Sequence, residues 1–391
     1  MNFIVISPHF PENFEQFSVR LNANGATTLG IGDHPYDQLS PTLQDALTEY
    51  YRVDDMEDYA QMYRAVAYFA FKYGKIDRLE SHNEYWLFQD ARLRTDFNIP
   101  GYKTKDMDVI KYKSKMKEVF LKNAIPVAKG RVFTTEDEAK QALSELDYPV
   151  IIKPDEGVGA SDTYKITNKK ELADFLKNKH DRPYFMEEFI EGDIVTFDGL
   201  TDQSGNVVFY SSLVYQEPAL ETVSRAGDMY FYETREVPTD LYELGVKCVL
   251  AFDIRERFFH FEFFKTKTGK LIALEINCRP PGGPSIDLMN HAHELSLFDE
   301  YAHIVLEDRF YGTNDCPYYS VYISRDLKQT YHYSEQEIKQ KYQTNLKEIQ
   351  KVPGVFAEVM GDVGYIFNTK TKAEMFEIIA DLGKLKSLTT Q

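Results

Sequence analysis

Two acidic residues and one amide interrupt an otherwise apolar stretch, and their side chains are of the kinds that bind metal. Glu262 lies among five phenylalanines in the segment FFHFEFF, and Glu275 lies between a leucine and an isoleucine. An ionised side chain in such surroundings is costly unless an opposite charge meets it. Oxygen ligands suit Mg²⁺, and Asn277 supplies another two residues after Glu275. We therefore predict that Glu262, Glu275 and Asn277 bind Mg²⁺, with Mn²⁺ as the alternative ion.

Two adjacent strands are needed to bring these residues together. The runs Phe258 to Phe264 and Leu271 to Ile276 are typical of strands, and a Lys-Thr-Gly-Lys turn separates them. Because successive side chains of a strand point to opposite faces, His260 is expected on the same face as Glu262. His260 is therefore a candidate for contact with a substrate or for support of the metal site. The alternative is a surface hairpin with solvated acids, which the apolar flanks disfavour.

Length and composition exclude several classes of protein. A chain of 391 residues can form two or three domains, and it contains no run of eighteen apolar residues that would predict a membrane span. The cysteines, Cys248, Cys278 and Cys316, lack metal-ligand spacing, and the first ten residues lack the features of a secretory signal. We therefore expect reduced thiols and a cytoplasmic protein with no membrane partner.

The charge balance bears on the possible ligands. The 45 basic and 62 acidic residues give a formal net charge of −17, which would repel the phosphates of a nucleic acid. We therefore expect no nucleic-acid partner. An anionic nucleotide would need a local group of lysines, the backbone amides of a glycine-rich loop and a divalent ion to offset the surrounding negative field.

A candidate phosphate site follows the predicted strand Val150 to Ile152. Lys153 ends this strand, and Gly157, Gly159 and Ser161 belong to a loop of small residues before the next strand. Glycine lets backbone amides approach a phosphate closely, and the lysine supplies a charge. The P-loop pattern is absent, and a hairpin turn would also use glycine.

The segment 113–123 is predicted to form an amphipathic helix. Three apolar residues share one face, which leaves Lys113, Lys115 and Lys117 mainly outward. Solvated lysines are the simplest interpretation of this pattern.

Between Pro183 and Leu200, two predicted strands flank a short apolar patch, Phe189–Ile190, with Glu187 and Asp193 on either side. Such a patch suits a purine base, with a carboxylate for the ribose hydroxyl groups. The alternative is an ordinary acidic strand end.

Hydrophobic periodicity predicts the remaining elements. The other predicted helices span residues 12–22, 54–72, 84–97, 135–146, 168–178 and 370–382. The other predicted strands outside the segments above span residues 3–6, 27–31, 163–166, 318–323 and 361–367. His9 and His82 could line a cleft at strand ends, although a single histidine more often has a structural role.

Taken in order, these motifs resemble the ATP-grasp superfamily. The resemblance covers about residues 113 to 306 and rests on Lys113, on Lys153 with its glycine loop, on EEFIEG from Glu187 to Gly192, on Glu262 and on the pattern Glu275-x-Asn277-x-Arg279. The segments FFHFEFF, EINCRPPGG and VPGVFAEVMGD resemble more narrowly the carboxylate–amine ligase branch, which includes L-amino acid ligases and is loosely termed carbamoyl-phosphate-synthase-like.

The resemblance implies a role for each matching residue. Lys113 and Lys153 would contact the phosphates of ATP, and the loop from Gly157 to Ser161 would close over them. Arg279 would face the transferred phosphate and would be catalytic together with Lys153. The implied contacts to adenine and ribose are Glu187, Glu188, Ile190 and Asp193. The connection before Asp193 is one residue shorter than in D-alanine:D-alanine ligase, and Glu262, Glu275 and Asn277 match the Mg²⁺ ligands.

The resemblance also implies the domain organisation of a chain with α/β and α+β parts and an ATP-grasp fold. A pre-ATP-grasp α/β domain is expected at residues 1–104, the ATP-grasp domain at 105–311 and a small C-terminal α+β lobe at 312–391. Within the ATP-grasp domain, a small nucleotide subdomain at about 113–186 precedes a large metal and substrate subdomain at 187–311. The C-terminal lobe would cover the substrate side of the cleft or form the surface of a homodimer.

The implied activity is an ATP-dependent ligation. A small carboxylate, such as an amino acid, would become an acyl phosphate, and an amine would then displace phosphate to give an amide, with ADP and phosphate released. Lys153, Arg279 and Mg²⁺ would neutralise the charge of the transferring phosphoryl group. Chemistry on bicarbonate or ammonia, as in carbamoyl phosphate synthesis, and a non-catalytic ATP-binding role are the alternatives.

Three residues are candidates for contact with the substrates. Arg225, in the candidate lid 217–232, could hold a substrate carboxylate through two hydrogen bonds, or it could be an exposed arginine of a turn. Ser285 follows a Pro-Pro-Gly-Gly turn at a predicted helix start, where backbone amides could bind an anion. His260 is the third candidate.

Overall fold

Apolar strands alternate with amphipathic helices in the first hundred residues and form a parallel α/β layer in the computed structural model, which describes residues 1–157, 162–215, 229–354 and 357–386. The strands lie in the order β3-β2-β1-β4. They are β1 Asn2–Ile6, β2 Thr27–Gly32, β3 Glu49–Arg52 and β4 Arg78–Glu80. The helices of this layer are α1 Glu15–Ala23, α2 Pro41–Ala46, α3 Tyr59–Tyr73 and α4 Leu87–Asp96.

Capping side chains set some of these helix starts. The helix predicted from Asp54 begins instead at Tyr59, because the carboxylate of Asp58 accepts a hydrogen bond from the amide of Ala60. The first residues of the helix predicted from position 12 form a 3₁₀ turn, Glu12–Phe14, before α1.

A second, antiparallel sheet of four strands lies in the order β5-β8-β6-β7. Its strands are β5 Gly130–Phe133, β6 Val150–Pro154, β7 Tyr164–Ile166 and β8 Tyr184–Glu188. The helices of this part of the chain are α5 Asp108–Lys111, α6 Lys113–Lys122, α7 Glu136–Leu143 and α8 Lys169–Asn178. Lys153 on β6 and Glu187 on β8 are carried by adjacent strands, which places a cation beside an acid.

The third sheet has nine strands in the order β14-β13-β9-β11-β12-β15-β17-β16, with β10 also paired to β9. Its strands are β9 Gly192–Thr201, β10 Val207–Ser211, β11 Leu213–Tyr215, β12 Tyr230–Glu233, β13 Phe258–Thr266, β14 Leu271–Asn277, β15 Tyr319–Arg325, β16 Leu346–Lys351 and β17 Val363–Thr369. The accompanying helices are α9 Thr239–Ala251, α10 Ser285–His293, α11 Leu297–Glu307, α12 Glu335–Lys341, α13 Ala357–Met360 and α14 Lys372–Leu382.

Strand β13 has one apolar face and one polar face. Phe259, Phe261 and Phe263 are buried on the apolar face, and Phe197 of β9 stacks on Phe259 with 5.4 Å between ring centroids. Gly245 of α9 allows the helix to approach this face, because an added Cβ would lie 2.0 Å from the Phe197 ring. Phe259, Phe261 and Phe263 thus complete a core, and the opposite face carries His260 and Glu262 between Phe258 and Phe264.

The C-terminal strands β15, β17 and β16 continue the large sheet through β12. The sheet therefore crosses the predicted boundary between residues 311 and 312. The C-terminal residues also contribute most of a hydrophobic cluster of their own, which includes Ile338, Tyr365 and Ile378. The division of the chain into domains stays a prediction.

A buried ion-pair cluster joins the first sheet to the third. The Glu80 carboxylate lies 2.8 Å from the Arg94 guanidinium and 2.6 Å from that of Arg257, and all three residues are buried. Burial alone would raise the pKa of Glu80, but Arg257 and Arg94 hold it at about 2. The two sheets are therefore joined by charge as well as by apolar contact.

The sequence predicts no membrane-spanning segment, and it predicts that the three cysteines are reduced thiols. Within the described ranges, every helix is too short or too polar to cross a lipid bilayer. Cys248, Cys278 and Cys316 all lie in those ranges and are free thiols.

Candidate active site

Six polar side chains form two cross-strand rows on one face of the large sheet. In the first row, His260 of β13 lies between Asp198 of β9 and Asn277 of β14. In the second row, Glu262 lies between Thr196 and Glu275. This polar face contains Thr196, Asp198, His260, Glu262, Glu275 and Asn277.

The three predicted metal ligands are adjacent on this polar face. The Glu262 and Glu275 side chains are 28% and 22% exposed, so both carboxylates are open to a ligand, whereas Asn277 is buried. Two like charges directly opposite each other destabilise a sheet unless a cation lies near them. Two accessible carboxylates and an amide oxygen are a donor set that fits Mg²⁺.

His260 connects the two rows. Its Nδ1 atom lies 2.5 Å from Asp198 Oδ1, and its Nε2 atom lies 3.2 Å from Glu262 Oε1. Burial would lower the pKa of His260, but the charges and hydrogen bonds of Asp198 and Glu262 raise it to about 9. Burial would raise the pKa of Glu262, but His260, followed by Arg279 and Lys153, holds it below the ordinary value. Glu262 is therefore kept ionised.

Lys153 and Lys117 share one carboxylate. Each lysine Nζ lies 2.7 Å from a different oxygen of Glu187, and all three side chains are buried. Burial opposes the charge of Lys153, yet Glu187, Glu275 and Glu262 raise its pKa above the ordinary value. The same lysines hold the pKa of Glu187 at about 2 against the effect of burial. Glu187 thus fixes two cations at the floor of the site.

Lys113 links the start of the glycine loop to the acidic pair. Its Nζ donates to the Gly157 carbonyl at 3.1 Å and lies 3.6 Å from Glu275 Oε2. Its backbone amide donates to the Asp155 carbonyl, and Ser114 donates to the Asp155 carboxylate through both its amide and its hydroxyl. These contacts attach the first turn of α6 to the end of β6.

Arg279 follows β14 and faces an acid from the segment between β4 and α4. Its Nε atom lies 3.5 Å from Glu84 Oε2, and Nη2 donates to Asn277 Oδ1 at 3.4 Å. Glu84 also pairs with Lys111 at 2.9 Å. The segment between β4 and α4 therefore contributes Glu84 to the surroundings of the predicted catalytic arginine.

The predicted adenine and ribose contacts lie at the junction of β8 and β9. Asp193 is exposed and lines a surface cavity of about 450 Å³ with Lys265 and Lys267. The Glu188 carboxylate accepts a hydrogen bond from the Lys129 amide, and Ile190 is half-buried. The Glu187 carboxylate is occupied by its lysines, so this residue would meet a base only through its backbone.

Other predicted site residues lie apart from this arrangement or outside the described residues. Ser285 is buried, and its hydroxyl donates to the Gly282 carbonyl at 2.7 Å, so it supports the turn. Gly159, Ser161 and Arg225 lie outside the described residues. Gly157 is described and has a φ of +153°, which favours glycine.

The two candidate histidines near the first sheet, His9 and His82, have different surroundings. His82 is buried and stacks on Phe17 with 3.7 Å between ring centroids, and burial lowers its pKa to about 3. His9 is half-buried, stacks on His34 and lies 3.7 Å from Asp33. The contacts of His82 are those of a structural residue.

The expectation of outward lysines on α6 was wrong for two of the three. Lys113 and Lys117 are buried, and only Lys115 points outward, where it pairs with Glu118. Lys113 and Lys117 are four residues apart and therefore share one helix face, so the spacing could have revealed Lys117 once Lys113 was placed. Asp198 was also missed, although its alternation with Thr196 in an apolar strand was a usable signal.

The geometry brings several cations to one side of an accessible acidic pair. Lys113, Lys153 and Arg279 can meet the negative oxygens of a phosphate chain, and the acids can hold a divalent ion beside it. Such an arrangement is suited to phosphoryl transfer by positioning and charge neutralisation.

Comparison with known proteins agrees with this geometry. Residues 146–287 match a family model described as an ATP-grasp domain. An L-arginine-specific L-amino acid ligase of Bacillus subtilis is 26% identical over 263 residues, which are 65% of this chain and 63% of the ligase. The aligned part thus spans less than two thirds of that relative.

Solved structures extend the likeness to nearly the whole chain. An L-amino acid ligase from Bacillus licheniformis superposes with a TM-score of 0.74 at 16% identity, covering 97% of this chain and 96% of the ligase. A second structure is the biotin carboxylase domain of a Hydrogenobacter thermophilus 2-oxoglutarate carboxylase, a dimer in complex with MgADP, ADP and bicarbonate. It superposes with a TM-score of 0.70 at 14% identity, covering 98% of this chain and 90% of that domain. At these identities the likeness establishes the fold.

Proposed function

We propose that this ATP-grasp protein is an ADP-forming ligase that activates a small carboxylate as an acyl phosphate and joins it to an amine. The observation that carries the proposal is the polar face, where Glu262 and Glu275 lie opposite each other and buried lysines adjoin them. The similarity to L-amino acid ligases supports an amino acid or a related acid as the carboxylate.

The nucleotide would lie between the second sheet and the polar face. Lys153 and Lys113 would meet its phosphates, and Lys117 would stabilise the charge of Lys153's partner, Glu187. Asp193 borders a surface cavity and would accept hydrogen bonds from the ribose hydroxyl groups. Gly159 and Ser161 are proposed to add contacts from the glycine loop.

The ion would be held by Glu262, Glu275 and Asn277. When bound there, Mg²⁺, with Mn²⁺ as the alternative, would supply positive charge that neutralises phosphate oxygens. The residues of this chain supply the rest of the neutralisation, because Lys153 is kept charged by Glu187, Glu275 and Glu262. Lys153 and Arg279 are the proposed catalytic residues.

The two chemical steps need no nucleophile from the protein. A carboxylate oxygen of the substrate attacks the γ-phosphorus of ATP, and the bond from that phosphorus to the bridging oxygen breaks to release ADP. The amine nitrogen then attacks the acyl carbon, the bond to the phosphate oxygen breaks, and one proton leaves the nitrogen. Arg279 lies beside the Asn277 amide, where a guanidinium would stabilise the negative oxygens of both steps.

The proposal is tested by ADP release from ATP with pooled amino acids and small amines, with products identified by mass spectrometry. Lys153→Ala and Glu275→Ala should each abolish product-linked ADP release, whereas Lys115→Ala, on the exposed side of α6, should not change it. Activity that persists in both site variants would contradict the assignment of the site. Tight ATP binding without turnover on any acceptor would favour a regulatory protein.

Location and assembly are proposed on separate grounds. The free thiols of all three cysteines agree with a reducing compartment, so we propose a cytoplasmic protein. The dimer of the biotin carboxylase domain named above motivates a homodimer, which sedimentation analysis would test.

A further inference from the structure

Half of the polar face is left unexplained by the proposed metal ligands. Glu262, Glu275 and Asn277 account for three side chains, but Asp198 and His260 lie beside them in the same rows. Asp198 is fully buried and His260 is 5% exposed. Charged or polar groups at such positions are costly unless their contacts are used.

The remaining side chains form a continuous line of hydrogen bonds that starts at the backbone. The Leu213 amide donates to the Thr196 hydroxyl at 2.8 Å, and that hydroxyl donates to the Asp198 carboxylate. Asp198 Oδ1 then lies 2.5 Å from His260 Nδ1, and His260 Nε2 lies 3.2 Å from Glu262 Oε1. The line therefore runs from the backbone of β11 to a side chain that is partly exposed in the site.

We propose that Asp198 and His260 are positioning residues that hold the Glu262 carboxylate in the orientation that binds the divalent ion. This inference rests on the proposed function. Because His260 contacts Glu262 Oε1, Glu262 Oε2 would be the oxygen left to bind the ion. Partners that orient a metal ligand in this way typically change metal affinity about 10–100-fold when they are removed.

Packing alone does not account for this arrangement. An apolar pair would fill the space between β9 and β13 without burying a carboxylate, and replacement of buried ionic groups by apolar ones is often neutral or stabilising. The line also ends at Glu262, whose like-charged neighbour Glu275 would repel it. These contacts explain how Glu262 is held near Glu275 before the ion binds.

The test is Mn²⁺ binding to the protein with saturating ADP, measured by electron paramagnetic resonance, together with ADP affinity measured without metal by calorimetry. Asp198→Asn and His260→Leu should weaken Mn²⁺ binding about tenfold or more, and His260→Gln, which keeps a donor toward Glu262, should lose less. Metal-free ADP affinity should stay within about twofold. Thr196→Val should also weaken Mn²⁺ binding, but by a smaller factor. This variant provides the test if the substitutions at Asp198 or His260 prevent folding.

Glu275→Gln separates the two levels of the proposal. If Glu275→Gln weakens Mn²⁺ binding and Asp198→Asn does not, the positioning role is overturned and the proposed metal site stands. If neither variant changes Mn²⁺ binding, the proposed metal site fails and the inference fails with it. Equal losses of metal-free ADP affinity and Mn²⁺ affinity would indicate a general structural effect and would also overturn the positioning role.

Discussion

Two buried histidines in this protein each meet a buried carboxylate, but their surroundings differ in one respect. His260 lies between Asp198 and the partly exposed Glu262. His293, at the end of α10, lies 2.7 Å from the fully buried Glu233, and its Nδ1 atom lies 2.9 Å from the carbonyl oxygen of Asp315. The contacts of His260 continue toward the site, whereas those of His293 reach the buried Glu233 and the backbone of the exposed residue Asp315.

The comparison shows that a buried ion pair does not by itself identify a functional site. The pKa of His260 is raised to about 9 and that of His293 to about 10, in both cases against the effect of burial. The two histidines therefore resemble each other, but their carboxylates do not, because burial raises the pKa of Glu233 whereas the pKa of Glu262 is lowered. What distinguishes them is the presence of accessible oxygen ligands, Glu262 and Glu275, beside one of the two histidines.

Among the substitutions that test this comparison, His293→Gln is expected to have the largest effect, which is a loss of stability. The substitution leaves Glu233 buried without a charged partner, which typically costs about 3–5 kcal/mol. Denaturant unfolding should show a lower free energy of unfolding, while Mn²⁺ binding by the ADP complex stays unchanged. Loss of Mn²⁺ binding in a folded variant would show that the two clusters are not separate.

Arg279→Lys should affect turnover without a comparable change in stability. A lysine keeps the charge but cannot present the planar, paired donors of the guanidinium, so we expect a loss of about 100-fold in kcat. The matched control is Arg255→Lys, since Arg255 is exposed and pairs only locally with Asp253 among the described residues. Equal losses in both variants would contradict a specific role for Arg279.

The pH dependence of stability should distinguish wild type from His293→Gln. Burial lowers the pKa of His293, but hydrogen bonds with Cys316 and Glu233 and the charge of Glu233 raise it to about 10, from 6.5. Since the folded-state pKa is raised, this contribution is complete below about pH 6.5 and is lost as the pH rises toward 10. The difference in unfolding free energy between the two proteins should therefore shrink over that interval. A constant difference would contradict the ion pair.

The smallest effect is expected from Lys115→Ala. Lys115 is exposed and pairs with Glu118 on the same helix, and such pairs contribute little. The melting temperature and the rate of ADP release should match those of wild type. A marked loss of activity would show that the outer face of α6 also contacts the nucleotide.

Local patterns were sufficient to predict the acidic pair. Alternation along FFHFEFF, together with a turn of suitable composition, placed Glu262 and Glu275 on adjacent strands, and the structure pairs them directly. The predicted strands were short by one or two residues at their ends, because pairing of β13 with β9 extends it to Thr266.

Contacts between residues far apart in the chain could not be predicted from local sequence patterns. Asp198 meets His260 only because β9 pairs with β13, and these residues are 62 positions apart in the chain. The periodicity of α6 predicts a solvated position for Lys117, because the contact that buries it comes from β8, through Glu187. The hydroxyl of Ser285 turned inward to the Gly282 carbonyl, a local geometry that residue types alone do not determine.

The most direct test of the central claim is a crystal structure of the protein with ADP and Mn²⁺, with the ion located by its anomalous scattering. The account predicts a peak between the Glu262 and Glu275 carboxylates, within about 2.0–2.6 Å of their oxygens, with ADP phosphates beside Lys153 and Lys113. An ordered nucleotide and ion bound elsewhere, with Glu262 and Glu275 turned away from each other, would contradict it.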